Sequence, residues 1–290
     1  SKKEDKWPKS SSIGSSLKKA LDTGKVQILS NHIVESFETN SSKEVASRVV
    51  IVNVKNGEKR FLNCDLIFLC ASTISTLRIL LNSEYKTNSK GFKDTSGRLG
   101  KFLMDHISLC RFFSVPKINI SGKTSEKQSD LSGAGSFFLP FGTELPKIEN
   151  INFLRGYGIW GAIDRLGIPS YLQKESNSSI GFLIAHGEVL PRSQNSVSLS
   201  QETDQWGIPI PHIEFEWSEN ELNMAEHMKL TIEKSVEAAN GKIKRIDELI
   251  NIPFGAILTK NTLALSEAPP PPGYYIHEVG GAPMGICEEE

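Results

Sequence analysis

The sequence predicts a mixed fold, in which an α/β unit precedes an α+β unit built on an antiparallel sheet. Residues 65–71 (DLIFLCA) are a continuous apolar run after the first residue, typical of a strand buried on both faces of a parallel sheet. A helical spacing follows at 72–82, so that a strand, a turn of small residues and a helix succeed one another. From residue 107 the pattern changes to short β-like runs between polar loops, which indicates an antiparallel sheet.

Composition and charge limit the classes of function. The 290 residues can form one large domain or two ordinary ones, and 38% of them are hydrophobic, which is a globular composition. The net charge of −1 gives no overall field that would attract nucleic acid or an anionic membrane. No apolar run approaches the length of a membrane span. We therefore expect neither a nucleic-acid partner nor a membrane segment.

The four cysteines, Cys64, Cys70, Cys110 and Cys287, show neither a C-x-x-C spacing nor a metal-binding pattern. We expect no metal site. Because Cys64 and Cys70 lie in or beside apolar segments, we expect both to be buried free thiols.

The residues before 65 predict a short helix and a meander of strands. Residues 15–23 are typical of the end of an amphipathic helix, and strands are predicted at 26–29, 33–37 and 45–54. The pair Asn56-Gly57 is a hairpin signal, after which 60–62 returns as another strand.

The strand–turn–helix at 65–82 has two interpretations. Ile74, Leu77, Leu80 and Leu81 share one face of the helix. Such a unit is typical of a nucleotide-binding α/β sheet, but any α/β crossover would show the same pattern.

A glycine-punctuated loop at 96–106 ends in the pair Asp105-His106. This pair is either catalytic or a loop anchor in which the carboxylate orients the imidazole.

The second unit has β-like runs at 107–115, 135–139, 180–189, 195–199 and 212–217. Ser218 and Glu221 have the spacing of a capping box, which predicts a helix over 218–239. Its predicted buried face comprises Leu222, Ala225, Met228, Ile232 and Val236.

The stretch 273–285 is the one most typical of a functional site. His277 stands just before Gly280-Gly281, and glycines allow a backbone to approach a flat ligand closely. A histidine beside such a loop can act as a general base. The proline-rich segment 268–273 is either a ligand for a partner domain or a stiff lead into this loop.

Four stretches together resemble the glucose–methanol–choline flavoprotein oxidoreductases, most closely the bacterial members that act on sugars, sugar acids and polyols. Residues 69–83 (LCASTISTLRILLNS) resemble the strand–turn–helix at the adenosine end of FAD, and 96–106 resembles a "GxLGxxLMDH" stretch. Residues 189–209 resemble the substrate-domain signature, and 277–285 resembles the "HExGxxxMG" loop of the active-site histidine.

The resemblance implies an FAD-dependent oxidoreductase that oxidises a CH–OH group of an alcohol, sugar or polyol. His277 would take the alcohol proton while hydride passes to the flavin. Val34, Ala71, Ser72, His277 and Glu278 would contact FAD. The electron acceptor stays open.

The same resemblance implies a partial Rossmann-like FAD-binding domain with an antiparallel substrate domain packed by helices. Residues 1–106 would belong to the FAD domain, 107–262 to the substrate domain, and 263–290 would return to the FAD domain.

The chain departs from the family pattern at both ends and at two positions. We expect it to lack the N-terminal G-x-G-x-x-G loop and the C-terminal helix with the second catalytic His or Asn. As a fragment it would hold FAD poorly and be inactive alone. Ser72 stands where glycine is common, and Pro283 where close relatives often carry arginine.

Two alternatives remain. One is a non-catalytic sugar-binding module that uses Trp160, Trp206 or Trp217 as a stacking platform. The other is one half of a split flavoenzyme.

Overall fold

The computed structural model describes residues 15–40, 42, 45–84, 89–117, 136–140, 151–165, 168–175, 177–251 and 268–286. Within these ranges, α-helices accompany antiparallel sheets, which confirms the mixed fold class. Residue Cys287 and the end of the chain lie outside the described residues.

The first part of the chain is a three-stranded meander. Helix α1 (Ser16–Asp22) precedes the strands β1 (His32–Thr39), β2 (Ala46–Asn53) and β3 (Lys59–Asn63). Each strand pairs antiparallel with the next. Gly57 has φ +72° in the turn between β2 and β3, a conformation that glycine adopts readily. The predicted helix end, hairpin turn and meander are confirmed.

Two predicted strands were wrong. Neither 26–29 nor 65–71 has strand conformation, and in the described ranges no strand pairs with either of them. Leu66 and Phe68 are 69% and 79% exposed. An apolar run favours burial, but a strand also needs neighbours for its backbone N–H and C=O groups. The parallel sheet of a Rossmann-like unit is therefore not seen in the described residues.

Helix α2 (Thr73–Ser83) follows, one residue later than predicted. Leu77 is fully buried and packs with Leu103 and Val197, and Leu81 lies against this cluster. This small core holds the loop before residue 107 against α2.

The remaining strands are β4 (Ile107–Pro116), β5 (Ser136–Pro140), β6 (Tyr157–Ile163), β7 (Ser178–Gly187), β8 (Ser196–Thr203), β9 (Pro209–Glu214) and β10 (Lys242–Ile243). Five of them form an antiparallel sheet in the order β10-β4-β7-β6-β5, which confirms the predicted antiparallel sheet. β6 was not predicted. β8 and β9 form a separate ribbon, which packs on α2. The domain boundaries at residues 106 and 262 stay a prediction.

The spacing G-x-G-x-x-G does occur in the sequence, at Gly156, Gly158 and Gly161, which corrects the expectation that it is absent. These glycines lie at and in the antiparallel strand β6, and not between a strand and a helix as a phosphate loop requires. A Cβ atom at Gly161 would lie 2.4 Å from the backbone oxygen of Phe182. The glycine therefore serves close packing within the sheet.

Helix α3 (Glu219–Ala238) covers one face of the five-stranded sheet. Its residues Met224, Ala225, Met228, Ile232 and Val236 are buried with apolar residues of β4, β6 and β7. Leu222, which was predicted to be buried, is 46% exposed. A short helix, α4 (Ile246–Leu249), follows β10.

The capping box at the start of α3 is present. Ser218 N donates to Glu221 Oε2 at 2.8 Å, and Leu190 N donates to Glu221 Oε1 at 3.1 Å. Burial by itself raises the pKa of Glu221, but hydrogen bonds from Ser218, Leu190 and Asn220 outweigh it and hold this pKa below its usual value. The ionised carboxylate therefore ties α3 to the chain that leaves β7.

We expect Glu221→Ala to lower the free energy of unfolding by about 2–4 kcal/mol, because the half-buried N–H groups of Ser218 and Leu190 lose their buried acceptor. Urea unfolding measures this loss. Glu219→Ala is the control, because it removes an exposed glutamate two residues earlier in the same first turn of α3, and it should change the stability little. Equal losses for the two variants would contradict the assigned role.

The stabilising effect of ionised Glu221 should depend on pH. Since its folded pKa is lower than its unfolded pKa, the contribution is complete above the unfolded value and is lost as the pH falls through the folded value. The gap in stability between the wild type and Glu221→Gln should therefore close on acidification.

The cysteines differ from expectation in part. Cys64 and Cys110 are partly buried free thiols, but Cys70 is an exposed one, because the segment 66–71 is not covered. Among the residues that the structure describes, no group of His, Cys, Asp and Glu side chains could hold a metal ion. No described helix is long and apolar enough to cross a membrane.

Candidate active site

The segment that carries His277 is docked along the glycine-punctuated loop before β4. Met104 N donates to Val279 O at 2.8 Å, and Val279 N donates to Met104 O at 2.9 Å. Gly100 N donates to Gly281 O at 2.6 Å. Two stretches separated by more than 170 residues are thus joined as a short antiparallel pair.

Two further contacts fix the ends of this segment. Thr73 Oγ1, in the first turn of α2, donates to Glu278 O at 2.6 Å. Trp217 Nε1 donates to Pro270 O at 3.0 Å and ties the proline-rich stretch to the chain that leads into α3. The segment is thus held on both sides of His277.

The glycines after His277 are required by their surroundings. Gly280 has φ +94°, and a Cβ atom there would lie 2.1 Å from the backbone oxygen of Phe102. Gly281 has φ +76°, and its Cβ would lie 2.2 Å from Leu77 Cδ1. Both positions therefore need glycine for conformation and for space.

Asp105 is an anchor, but not in the predicted way. Its Oδ1 atom accepts the backbone N–H of His277 at 3.0 Å and that of His106 at 2.7 Å. The His106 ring is oriented elsewhere, with Nδ1 3.2 Å from Gly187 O. The carboxylate thus binds the backbone of the 277 loop, and the expectation that it orients the neighbouring imidazole was wrong.

Five rings form an aromatic cluster, which comprises His106, Trp160, His186, Tyr275 and His277. The ring centroids of Tyr275 and His277 are 4.7 Å apart, and those of His106 and His277 are 5.4 Å apart. Tyr275 lies 4.1 Å from His186, whose Nε2 accepts the indole N–H of Trp160 at 3.2 Å. The cluster joins the face of the five-stranded sheet opposite α3 to the His277 loop.

Burial keeps two members of this cluster, His186 and Tyr275, uncharged near neutral pH. It lowers the pKa of His186 to about 4, with a further contribution from the positive charges that His106 and His277 can carry. Burial also raises the pKa of Tyr275, and it raises the pKa of the Cys110 thiol to about 11. At pH 7, His186 and Tyr275 are therefore neutral hydrogen-bonding groups.

A cleft of about 770 Å³ is lined by Met104 and Val279, which lie two residues along the chain from the cluster members His106 and His277. The start of α2, residues 98–104 and the loop 279–286 line it, and most of the lining side chains are apolar. Ala71 and Gly280 are among the lining residues. His277 precedes the first lining residue of its loop by two positions. The cleft thus offers an apolar surface with a helix N-terminus at one side.

Comparison with known proteins gives one sequence relative of wide coverage. No family model matches the sequence. The chain is 25% identical over 305 residues to a 2-methyl-1,2-propanediol dehydrogenase of Mycolicibacterium austroafricanum. This match covers 97% of the chain. This coverage agrees with the four family-like stretches spread along the sequence. The chain spans 46% of the length of that dehydrogenase.

Two solved structures of formate oxidase, one of them a variant of the Aspergillus oryzae RIB40 enzyme described in a study of FAD modification, resemble part of the fold. Their TM-scores are 0.44 and 0.43 at 12% identity. Each match covers 76% of this chain and 44% of the formate oxidase chain.

The structure brings some, but not all, of the residues expected from the glucose–methanol–choline resemblance to the cleft. Ala71 lines it, and Ser72 is the N-cap residue of α2. His277 is exposed, and the backbone oxygen of Glu278 is bound by α2. Val34 lies on β1 beside a β-bulge, 38% exposed and outside the cleft lining. Their roles toward FAD stay predictions.

The tryptophans differ in position. Trp206 Nε1 donates to Val54 O at 3.2 Å, and the Trp217 indole is bound to Pro270 as described. Trp160 belongs to the aromatic cluster. Trp206 and Trp217 thus join separate segments of the chain, whereas Trp160 lies in the aromatic cluster with His277.

Sequence reasoning did not single out several residues that the structure places here. Tyr275 stands two positions before His277 in the same motif, so proximity in sequence could have indicated it. His186 carried no local signal, because it meets the loop only when β6 and β7 pair. Trp160 was named only as a sugar-stacking platform, and its place near the His277 loop depends on the same pairing.

Proposed function

We propose that the complete gene product is an FAD-dependent oxidoreductase, in which His277 acts as the base that removes the hydroxyl proton of an alcohol, sugar or polyol. The relative from Mycolicibacterium is named for a diol, which falls in this class. The observation that carries the proposal is an apolar cleft whose wall is the glycine turn of the histidine loop.

The residues of the cleft fit a flavin. Its flat ring system needs an apolar wall, which the apolar side chains of the lining and the backbone of Gly280 provide. Ser72 makes no side-chain cap to α2, and the first turn of α2 contains no acidic residue. The N–H groups of this turn are therefore suited to an anionic or carbonyl group of the cofactor. Ala71, Val279 and Gly280 would hold the cofactor near His277.

The residues of the chain have distinct roles in this reaction. FAD, when bound, supplies the hydride acceptor. His277 accepts the proton of the substrate hydroxyl as the carbon gives up its hydride, so that the alcohol becomes a carbonyl compound. Tyr275 adjoins His277 and His186, which in turn accepts the Trp160 indole N–H, so a substrate held at His277 would meet the neutral rings of this cluster. A neutral hydroxyl compound suits such a wall.

The test is reduction of the flavin by an alcohol. We expect the purified complete gene product to be yellow and to lose its visible flavin absorbance when a diol, polyol or sugar is added without oxygen. A protein that takes up no FAD, or a flavin that none of these compounds reduces, would contradict the proposal.

A sugar-binding module is a second candidate, because Trp160 stands in the aromatic cluster at the candidate site. It predicts sugar binding without FAD. Titration of the flavin-free protein with sugars, followed by tryptophan fluorescence, separates the two candidates. A split flavoenzyme would instead take up FAD only after addition of a second chain.

A further inference from the structure

The residue before His277 has an unfavourable backbone conformation. Ile276 has φ +56°, in the left-handed region that β-branched residues rarely adopt. Its side chain is 72% exposed, so packing of that side chain does not account for the conformation. Contacts of neighbouring residues must hold it.

The contact directly after this strained residue is made by Asp105. The His277 N–H donates to Asp105 Oδ1 at 3.0 Å. Asp105 itself is 4% exposed and is fixed by the His106 N–H at 2.7 Å. Met104, the residue before it, is paired with Val279 on the other side of the histidine. The left-handed turn at 276 thus lies against a stretch of chain that is hydrogen-bonded on both sides of it.

The second oxygen of Asp105 supports a dedicated role. Asp105 Oδ2 is buried and has no hydrogen-bond partner within the described ranges of the chain. An unpaired buried carboxylate oxygen is costly, so a residue that served the fold alone would be better replaced by an apolar one. What this aspartate supplies that an apolar residue could not is an acceptor for two amides, that of its neighbour His106 and that of the distant His277.

We propose that Asp105 is a positioning residue for His277, which holds the strained turn at Ile276 by accepting the His277 N–H and so fixes where the imidazole points. The contact itself is independent of the reaction, while its consequence for catalysis rests on the proposed function. Asp105 touches the backbone of the histidine and not the reacting atoms.

Amide hydrogen exchange of the 290-residue chain, read by mass spectrometry, tests the contact without any activity. In Asp105→Ala, exchange of the peptide that contains His277 should become at least about tenfold faster, while peptides from β4 and β7 keep their protection. Asp105→Asn should stay close to the wild type, because its amide oxygen can accept the same N–H.

The variant Ile276→Asn distinguishes support of the strained turn by Asp105 from a general contribution of Asp105 to stability. Asparagine tolerates the left-handed region, so the turn at 276 should need less support. We therefore expect Asp105→Ala to accelerate exchange much less in the Ile276→Asn background. Asp94→Ala is the matched control, because Asp94 also accepts backbone N–H groups, from Ser96 and Leu99, in the same loop.

Each outcome decides the proposal. Unchanged exchange at His277 in Asp105→Ala, an equal effect of Asp94→Ala, or no relief from Ile276→Asn would overturn it. If Asp105→Ala does not fold, the comparison is made with Asp105→Ser, whose side chain is too short to reach the His277 amide.

Kinetics of the complete gene product then test the consequence. We expect Asp105→Ala to lower kcat about 10–100-fold at unchanged flavin content, and Asp105→Asn to restore most of it. If the complete protein oxidises no alcohol, the proposed function fails while the exchange result still decides the role of Asp105. If exchange changes but kcat does not, the link to catalysis is overturned.

Discussion

Replacement of His277 by alanine should slow flavin reduction in the complete gene product by about 10²–10⁴-fold, because the base that takes the hydroxyl proton is removed. The side chain is exposed, and its ring contacts with Tyr275 and His106 lie at the edge of the cluster. The variant should therefore fold and keep its FAD. Anaerobic stopped-flow measurement of the flavin absorbance gives the rate.

The control for this experiment is His212→Ala. His212 is an exposed residue of β9 whose Nε2 atom lies 3.6 Å from Glu214, away from the cleft. Its removal should leave the rate unchanged. A His277→Ala enzyme that reduces its flavin as fast as the His212→Ala enzyme would show that His277 is not the base.

Gly280→Ala should both destabilise the protein and weaken FAD binding. A methyl group at this position would meet the backbone oxygen of Phe102, which cannot move aside without displacing the loop, and the φ of +94° is strained for alanine. Together these effects should lower the free energy of unfolding by about 2–5 kcal/mol. Urea unfolding and titration with FAD measure the two losses.

Gly273→Ala separates the clash from the strain. Gly273 has φ +82°, but nothing lies within 4 Å of a Cβ atom placed there. It should therefore show only the cost of the left-handed conformation and leave FAD binding unchanged. Equal losses for both variants would mean that the close approach to Phe102 is not what requires glycine at position 280.

Local signals were sufficient for much of the fold. The Asn56-Gly57 pair predicts the turn between β2 and β3, and the Ser218–Glu221 spacing predicts the start of α3, because both effects act within a few residues. The apolar runs at 26–29 and 65–71 were misleading for the converse reason. Strand formation there depends on a neighbouring strand, which the described ranges do not contain.

In the candidate site, too, some features follow from the local sequence and others only from the fold. The sequence alone determined that a histidine stands before a glycine turn, and that α2 follows a turn of small residues, since these are properties of contiguous chain. Only the tertiary structure decided that Asp105 binds the His277 amide, that Gly280 approaches Phe102, and that strand pairing brings Trp160 and His186 to Tyr275. Those contacts join residues far apart in sequence. They form only when the strands, the helices and the loops between them pack together, and no local sequence pattern encodes that packing.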